Sequence, residues 1–134
     1  MRTLIHSALI LGLTAASITP AFAKVETGEA KLARLTAGRT PGKTVNCINV
    51  GMVGNQGSEK LPGIGMAYRQ GTTWYVSNFQ GGCAGLRDDT IVVTKVYSSQ
   101  LCRGDIADLR MSGANIPVGS CVFGDFTPYT KPKG

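Results

Sequence analysis

The sequence predicts a mainly β domain: a small antiparallel sandwich or partly closed barrel of about six strands, with one short N-terminal helix and two disulfides. Three observations predict it. Runs of β-branched and aromatic residues, of which Ile91-Val92-Val93-Thr94-Lys95-Val96-Tyr97 is the strongest, recur from residue 45 onward, and such residues fit a pleated surface. The connections between them are short and rich in Gly and Pro, as in many-stranded β domains. Finally, four cysteines follow a leader that reads as an export signal, and even cysteine counts in exported chains read as disulfides.

The leader has a positive start at Arg2, a mostly apolar stretch from Thr3 to Thr14, then Pro20 and Ala21-Phe22-Ala23. That order matches a signal peptide over residues 1–23, cleaved between Ala23 and Lys24. The apolar stretch is shorter than the roughly 20 residues that span a bilayer, so a membrane anchor is not expected, and neither is a transmembrane span in the mature chain. Processing leaves 111 residues, which suit one domain with a modest core. It also removes His6, the only histidine. The expected location is periplasmic or extracellular.

Residues 24–44 are expected to form a short helix and a Gly/Pro linker. Thr27 can cap a helix over residues 27–38, Glu29 suits its first turn, and Gly38 suits its end. Leu32 and Leu35 give it a narrow apolar face. Ala37-Gly38-Arg39-Thr40-Pro41-Gly42-Lys43-Thr44 fits a loose phosphate-binding loop. That device needs a buried strand before it and a helix after it. The order here is reversed, so the stretch is read as a turn-rich linker.

Residues 45–129 are expected to be the stapled β domain, with 130–134 a flexible tail. Val45–Val50 reads as a strand and Gly51–Gly65 as a loop. Met66–Arg69 and Thr73–Phe79 read as a hairpin around Gln70-Gly71-Thr72, with Trp74 and Val76 on one face and Tyr75, Ser77 and Phe79 on the other. Ile91–Tyr97 reads as a strand buried on both faces. Asp105–Met111, a Ser112–Gly119 loop and Ser120–Phe126 complete the set.

The cysteines Cys47, Cys83, Cys102 and Cys121 are separated by 36, 19 and 19 residues. This is neither a zinc knuckle nor a redox C-x-x-C, so no metal and no cofactor are expected. Four cysteines allow three pairings. The nested one, Cys83–Cys102 with Cys47–Cys121, is the expectation, because it clasps the Ile91–Tyr97 strand and ties the first strand to the last.

The mature chain carries 13 Lys and Arg against 8 Asp and Glu, a net charge of +5. The basic residues are scattered along the sequence, which with export argues against nucleic acid. An anionic envelope polymer or an envelope protein remains as a partner. With no histidine, no Ser-His or Cys-His nucleophile arrangement can form, and no catalytic residue is assigned. Carboxylate chemistry stays open, with Asp105 and Asp125 the candidates. Asp88-Asp89 suits a turn better than a convergent glycosidase pair, and no EF-hand spacing supports calcium there. Arg103-Gly104-Asp105 spells an adhesion tripeptide but reads as a turn. Trp74, Tyr75 and Phe79 form the candidate ligand surface, by aromatic stacking.

Asn46-Cys47-Ile48, Gly82-Cys83-Ala84-Gly85-Leu86, Leu101-Cys102-Arg103-Gly104-Asp105-Ile106 and Cys121-Val122-Phe123-Gly124-Asp125-Phe126-Thr127-Pro128-Tyr129, taken in this order, resemble a family of small exported proteobacterial proteins of unknown function. The resemblance covers roughly residues 32–129 and includes Leu35-Thr36-Ala37-Gly38-Arg39. Two departures stand out: Phe123 replaces the usual leucine before the last glycine, and Gly51–Gly57 replaces a basic, polar segment. The family has no established activity, so none is carried over by the resemblance. The missing catalytic set, the disulfides and the small β domain make the expected function a non-enzymatic envelope binding or structural module. The alternatives are a secreted hydrolase inhibitor, presenting a rigid loop such as Gly51–Gly65, and a small carboxylate-dependent hydrolase.

Overall fold

A seven-stranded antiparallel sheet curls into a half-barrel, with a two-stranded ribbon against one face and a helix against the other. The computed structural model describes residues 23–51 and 57–134. Residues 1–22, all of the expected signal peptide but Ala23, and residues 52–56 lie outside the described residues.

Helix α1 (Gly28–Thr36) comes first. Thr27 caps it by accepting a hydrogen bond from the Ala30 N–H, and Gly38 takes the left-handed conformation beyond its end. Strands β1 (Thr40–Pro41), β2 (Cys47–Asn49), β3 (Ser58–Leu61), β4 (Gly63–Gln70), β5 (Thr73–Cys83), β6 (Thr90–Thr94), β7 (Gln100–Cys102), β8 (Ile106–Met111) and β9 (Pro117–Thr130) follow. The main sheet runs β3-β4-β5-β9-β8-β6, with β1 added to β9, and β2 and β7 form a separate ribbon. The β4–β5 hairpin turns at Gly71-Thr72 as expected, with Gly71 at φ 61°.

Strand alternation, with a register shift where β9 passes Ser77 and Phe79, places Met66, Phe79, Ala107, Leu109, Phe123 and Phe126 on the concave face, where Ile48 and Leu101 from the ribbon complete the core. Phe123 is its centre. It lies edge-on to Phe79 with ring centroids 4.8 Å apart, and stacks with Phe126 at 5.9 Å. Leu61, Ala67 and Val76 point to the convex face, where α1 covers them with Leu35. The helix and linker are thus part of the domain: Thr40 pairs with Thr130, and Pro41 with Tyr129.

Several expectations are corrected. The disulfides are Cys47–Cys102 and Cys83–Cys121, a crossed pattern rather than the nested one. Cys47 and Cys102 are register partners in the ribbon, and Cys83 ends β5 beside Cys121 on β9. Chain neighbours were the wrong guide because β7 pairs with β2 and leaves the main sheet. The Ile91–Tyr97 run is not buried on both faces. Its strand β6 is an edge, and Ile91 and Val93 remain 45% and 37% exposed on the convex side. Part of the Gly51–Gly65 loop is strand, since β3 pairs with β4 from Ser58 to Leu61. The last strand starts within the expected Ser112–Gly119 loop and takes in Thr130. Its length reflects a double task, pairing with β8 at its start and with β5 and β1 at its end.

Candidate functional site

Cross-strand pairing places Arg69, Trp74, Tyr129 and Pro41 in one row over β4, β5, β9 and β1. Trp74 and Tyr129 are half-buried there and pack against the Leu35, Leu61, Ala67 and Val76 group. Tyr75 points to the opposite face, towards the phenylalanine core, and Phe79 is 3% exposed within that core. The aromatic surface expected from Trp74, Tyr75 and Phe79 is therefore not one platform. A pleated strand sends neighbours to opposite sides, and Phe79 serves packing. Only Trp74, with Tyr129 as its new neighbour, remains at the surface of this row.

Cations gather around that row. Arg39 donates from Nη1 to the carbonyls of Thr72 and Tyr129, which pins it between the hairpin turn and the end of β9. Arg69 donates from Nε to the Gly71 carbonyl, 3.0 Å away. Because Thr40 pairs with Thr130, the antiparallel register carries Lys131 past the end of β9 on the side of Arg39. Lys43 follows Gly42, whose N–H donates to the Pro128 carbonyl, and Lys133 is two residues beyond Lys131. None of these five has a carboxylate partner among the described residues. The positions are scattered in sequence because β1, the β4–β5 turn and the end of β9 are far apart along the chain. The antiparallel sheet brings them to one end.

Six of the eight acidic residues, Glu26, Glu59, Asp88, Asp89, Asp105 and Asp125, are engaged elsewhere. Arg34 bridges Glu26 and Glu59, which pushes its already high pKa higher still. Lys31 holds Asp88 at 2.5 Å, and Arg87 holds Asp89 at 2.7 Å. The hydrogen bond from Arg87 keeps the Asp89 carboxyl below the usual carboxylate range. A cavity of about 550 Å³ at the start of α1 is lined by Val25, Glu26, Pro62, Asp88 and Asp89 among others. No group of three or more potential ligands there or elsewhere could hold a metal, among the described residues.

Asp105 and Asp125, the carboxylates considered for hydrolysis, carry structural contacts. Asp105 accepts from the Cys102 N–H at 2.7 Å, and Asp125 pairs with Arg103 at 3.2 Å. Arg103-Gly104-Asp105 is a turn, with Gly104 at φ 90° and the Asp105 N–H donating to the Cys102 carbonyl. Arg103 thus reaches across to β9 and not to its neighbour Asp105.

Sequence reading missed the ribbon tip. Ser98 and Ser99 both lie in the left-handed region, at φ 57° and 60°, and the Gln100 N–H closes the turn on the Tyr97 carbonyl. Non-glycine residues there carry strain. The turn leaves Tyr97 81% exposed, and the Cys47–Cys102 bridge holds its base. No Gly or Asn marks this turn in the sequence, so nothing local signalled it.

Comparison with protein-family models, with curated proteins and with solved structures finds no match to the chain.

Proposed function

We propose that the chain is an exported, non-enzymatic envelope module that binds an anionic envelope polymer at the cationic end of its sheet. The observation that carries the reading is the gathering of Arg39, Arg69 and Lys131, without carboxylate partners, around Trp74 and Tyr129. Cations on a long polymer site act together, while planar aromatic faces pack against sugar rings or other flat groups. The two disulfides fit an oxidising, exported location. They also let a domain of this size hold a shaped surface outside the cell.

The test is retention of the mature protein on immobilised polygalacturonate against neutral dextran, across a salt series. The triple variant Arg69→Gln, Lys131→Gln, Lys133→Gln leaves Arg39 and its backbone contacts intact. At roughly 1 kcal/mol per cation near an anionic surface, it lowers affinity on the order of 100-fold at low salt. Equal retention of wild type and variant, or retention that salt does not weaken, sinks the proposal.

A second reading, an inhibitor that displays Tyr97, is favoured by the strained turn at Ser98-Ser99 above the Cys47–Cys102 bridge. A rigid, disulfide-held loop loses little entropy on binding. A hydrolase panel tests it, and wild-type inhibition that survives Tyr97→Ala counts against it.

A further inference from the structure

The six-strand path of the half-barrel ends in two edge strands, β3 and β6, and they are not alike. Edge strands expose unpaired backbone groups, and proteins ordinarily guard them with charge, Pro or a bulge. Strand β3, Ser-Glu-Lys-Leu, carries two charges and is followed by Pro62. Strand β6, Thr-Ile-Val-Val-Thr, carries none. Its convex side shows Ile91 and Val93, which face Arg110 and Asp108 on β8, and beyond them Ile106 and Val122 on the same face are also exposed, at 56% and 37%.

The register shows which backbone groups of β6 are open. The Ser112 N–H donates to the Asp89 carbonyl, so residues 89, 91 and 93 turn their groups towards β8. Thr90, Val92 and Thr94 turn theirs outward. Thr90 is already satisfied. Its N–H donates to the Arg87 carbonyl, and its own carbonyl accepts from Lys60 Nζ at 2.6 Å. The same Nζ donates to the Asp88 carbonyl, so the guard residue of β3 reaches over and caps the beginning of β6. Val92 and Thr94 have no outward partner among the described residues.

We infer that β6 pairs antiparallel with β6 of a second copy, about a two-fold axis through Val93. In that register Val92 faces Thr94 of the second copy and Thr94 faces its Val92, so each open N–H and C=O meets its complement. The capped Thr90 is not asked to pair. Val93 meets its own counterpart as a non-hydrogen-bonded pair, the closest cross-strand geometry, with Cα atoms about 4.5 Å apart. The contact is self-complementary, as a two-fold dimer requires. The exposed Ile91 and Val93 of the two copies become one apolar strip, flanked on each side by Asp108 and Arg110. An edge of this length lies at the small end of specific interfaces, below about 1,200 Å² of buried surface, so the dimer forms and dissociates with concentration.

The test uses the mature protein with its native disulfides. In sedimentation, wild type is expected to shift from monomer to dimer mass as concentration rises. Val93→Glu, an exposed change that places two carboxylates on the axis, each beside the Asp108 that faces Val93 on β8, is expected to lose the dimer while keeping the monomer's circular dichroism. Under mild oxidation, Val93→Cys is expected to yield a covalent dimer, with Cys47–Cys102 and Cys83–Cys121 verified by peptide mapping. Ile91→Cys, which lies four residues off register from its counterpart, is expected not to. A monomer at every concentration overturns the inference, as does a dimer indifferent to Val93→Glu. Equal crosslinking at positions 91 and 93 does so too. So does a Val92 amide that is protected from exchange only by an added extended peptide, because that makes the edge a peptide site. None of these outcomes depends on polymer binding, so the two proposals fail separately.

Discussion

Removing one disulfide at a time separates the two crossed bridges and measures what each contributes. The sharper perturbation is Cys47→Ala with Cys102→Ala, which leaves no odd thiol. This bridge spans 55 residues. The chain-entropy relation for a loop of that size gives about 4 kcal/mol of stabilisation, through restriction of the unfolded chain. The bridge also fastens the β2–β7 ribbon, whose Ile48 and Leu101 close the concave core at 4% and 1% exposure. Domains of this size have about 5–15 kcal/mol in total, so the double variant is expected to lose a large share of its stability. The assay is urea denaturation followed by circular dichroism, with limited proteolysis reporting release of the ribbon. Before that, a non-reducing tryptic map fixes the pairing. Fragment 44–60 should be joined to 96–103, and 70–87 to 111–133. Fragment 44–60 joined to 111–133 refutes the crossed pairing. A double variant within about 1 kcal/mol of wild type refutes the entropic account of the bridge.

Three further outcomes are expected. Phe123→Ala removes the fully buried centre of the aromatic core and costs about 3–5 kcal/mol, read from the shift in denaturation midpoint. Gly65→Ala places a Cβ against the backbone carbonyl of Ser77, where backbone must move. The cost is about 1–3 kcal/mol, and an unchanged midpoint contradicts the close approach of β4 and β5. Burial pushes the Tyr68 phenol well above the usual tyrosine range. Its contribution is therefore complete below the unfolded tyrosine pKa of about 10 and is lost as pH rises from there towards the folded value. Tyr68→Phe should move the alkaline unfolding transition to higher pH; an identical transition in both proteins counts against burial as its cause.

How much was legible from sequence differed by element. The helix cap at Thr27, its end at Gly38 and the hairpin turn at Gly71 were readable, because each rests on local backbone chemistry within a few residues. The opposite faces of Trp74 and Tyr75 were also readable from strand alternation. The burial of Ile91 and Val93 was misread, because a run of β-branched residues is the same string on a central strand and on an edge. Only the order of strands separates them. The cationic end was invisible for a related reason. Arg39, Arg69 and Lys131 become neighbours through the pairing of β1 with β9 and of β4 with β5.

The sequence alone therefore determined the class of this protein: mainly β, with one short helix and two disulfides, because composition, periodicity and cysteine count act locally and need no partner strand. Tertiary structure alone decided which cysteines meet, which strand is left open and where unpaired charge collects. Those properties depend on long-range strand pairing, and many pairings are compatible with one alternating pattern until side chains compete for a single core. Here Phe123 and its neighbours filled the concave face, α1 took half of the convex face, and β6 was left at the rim.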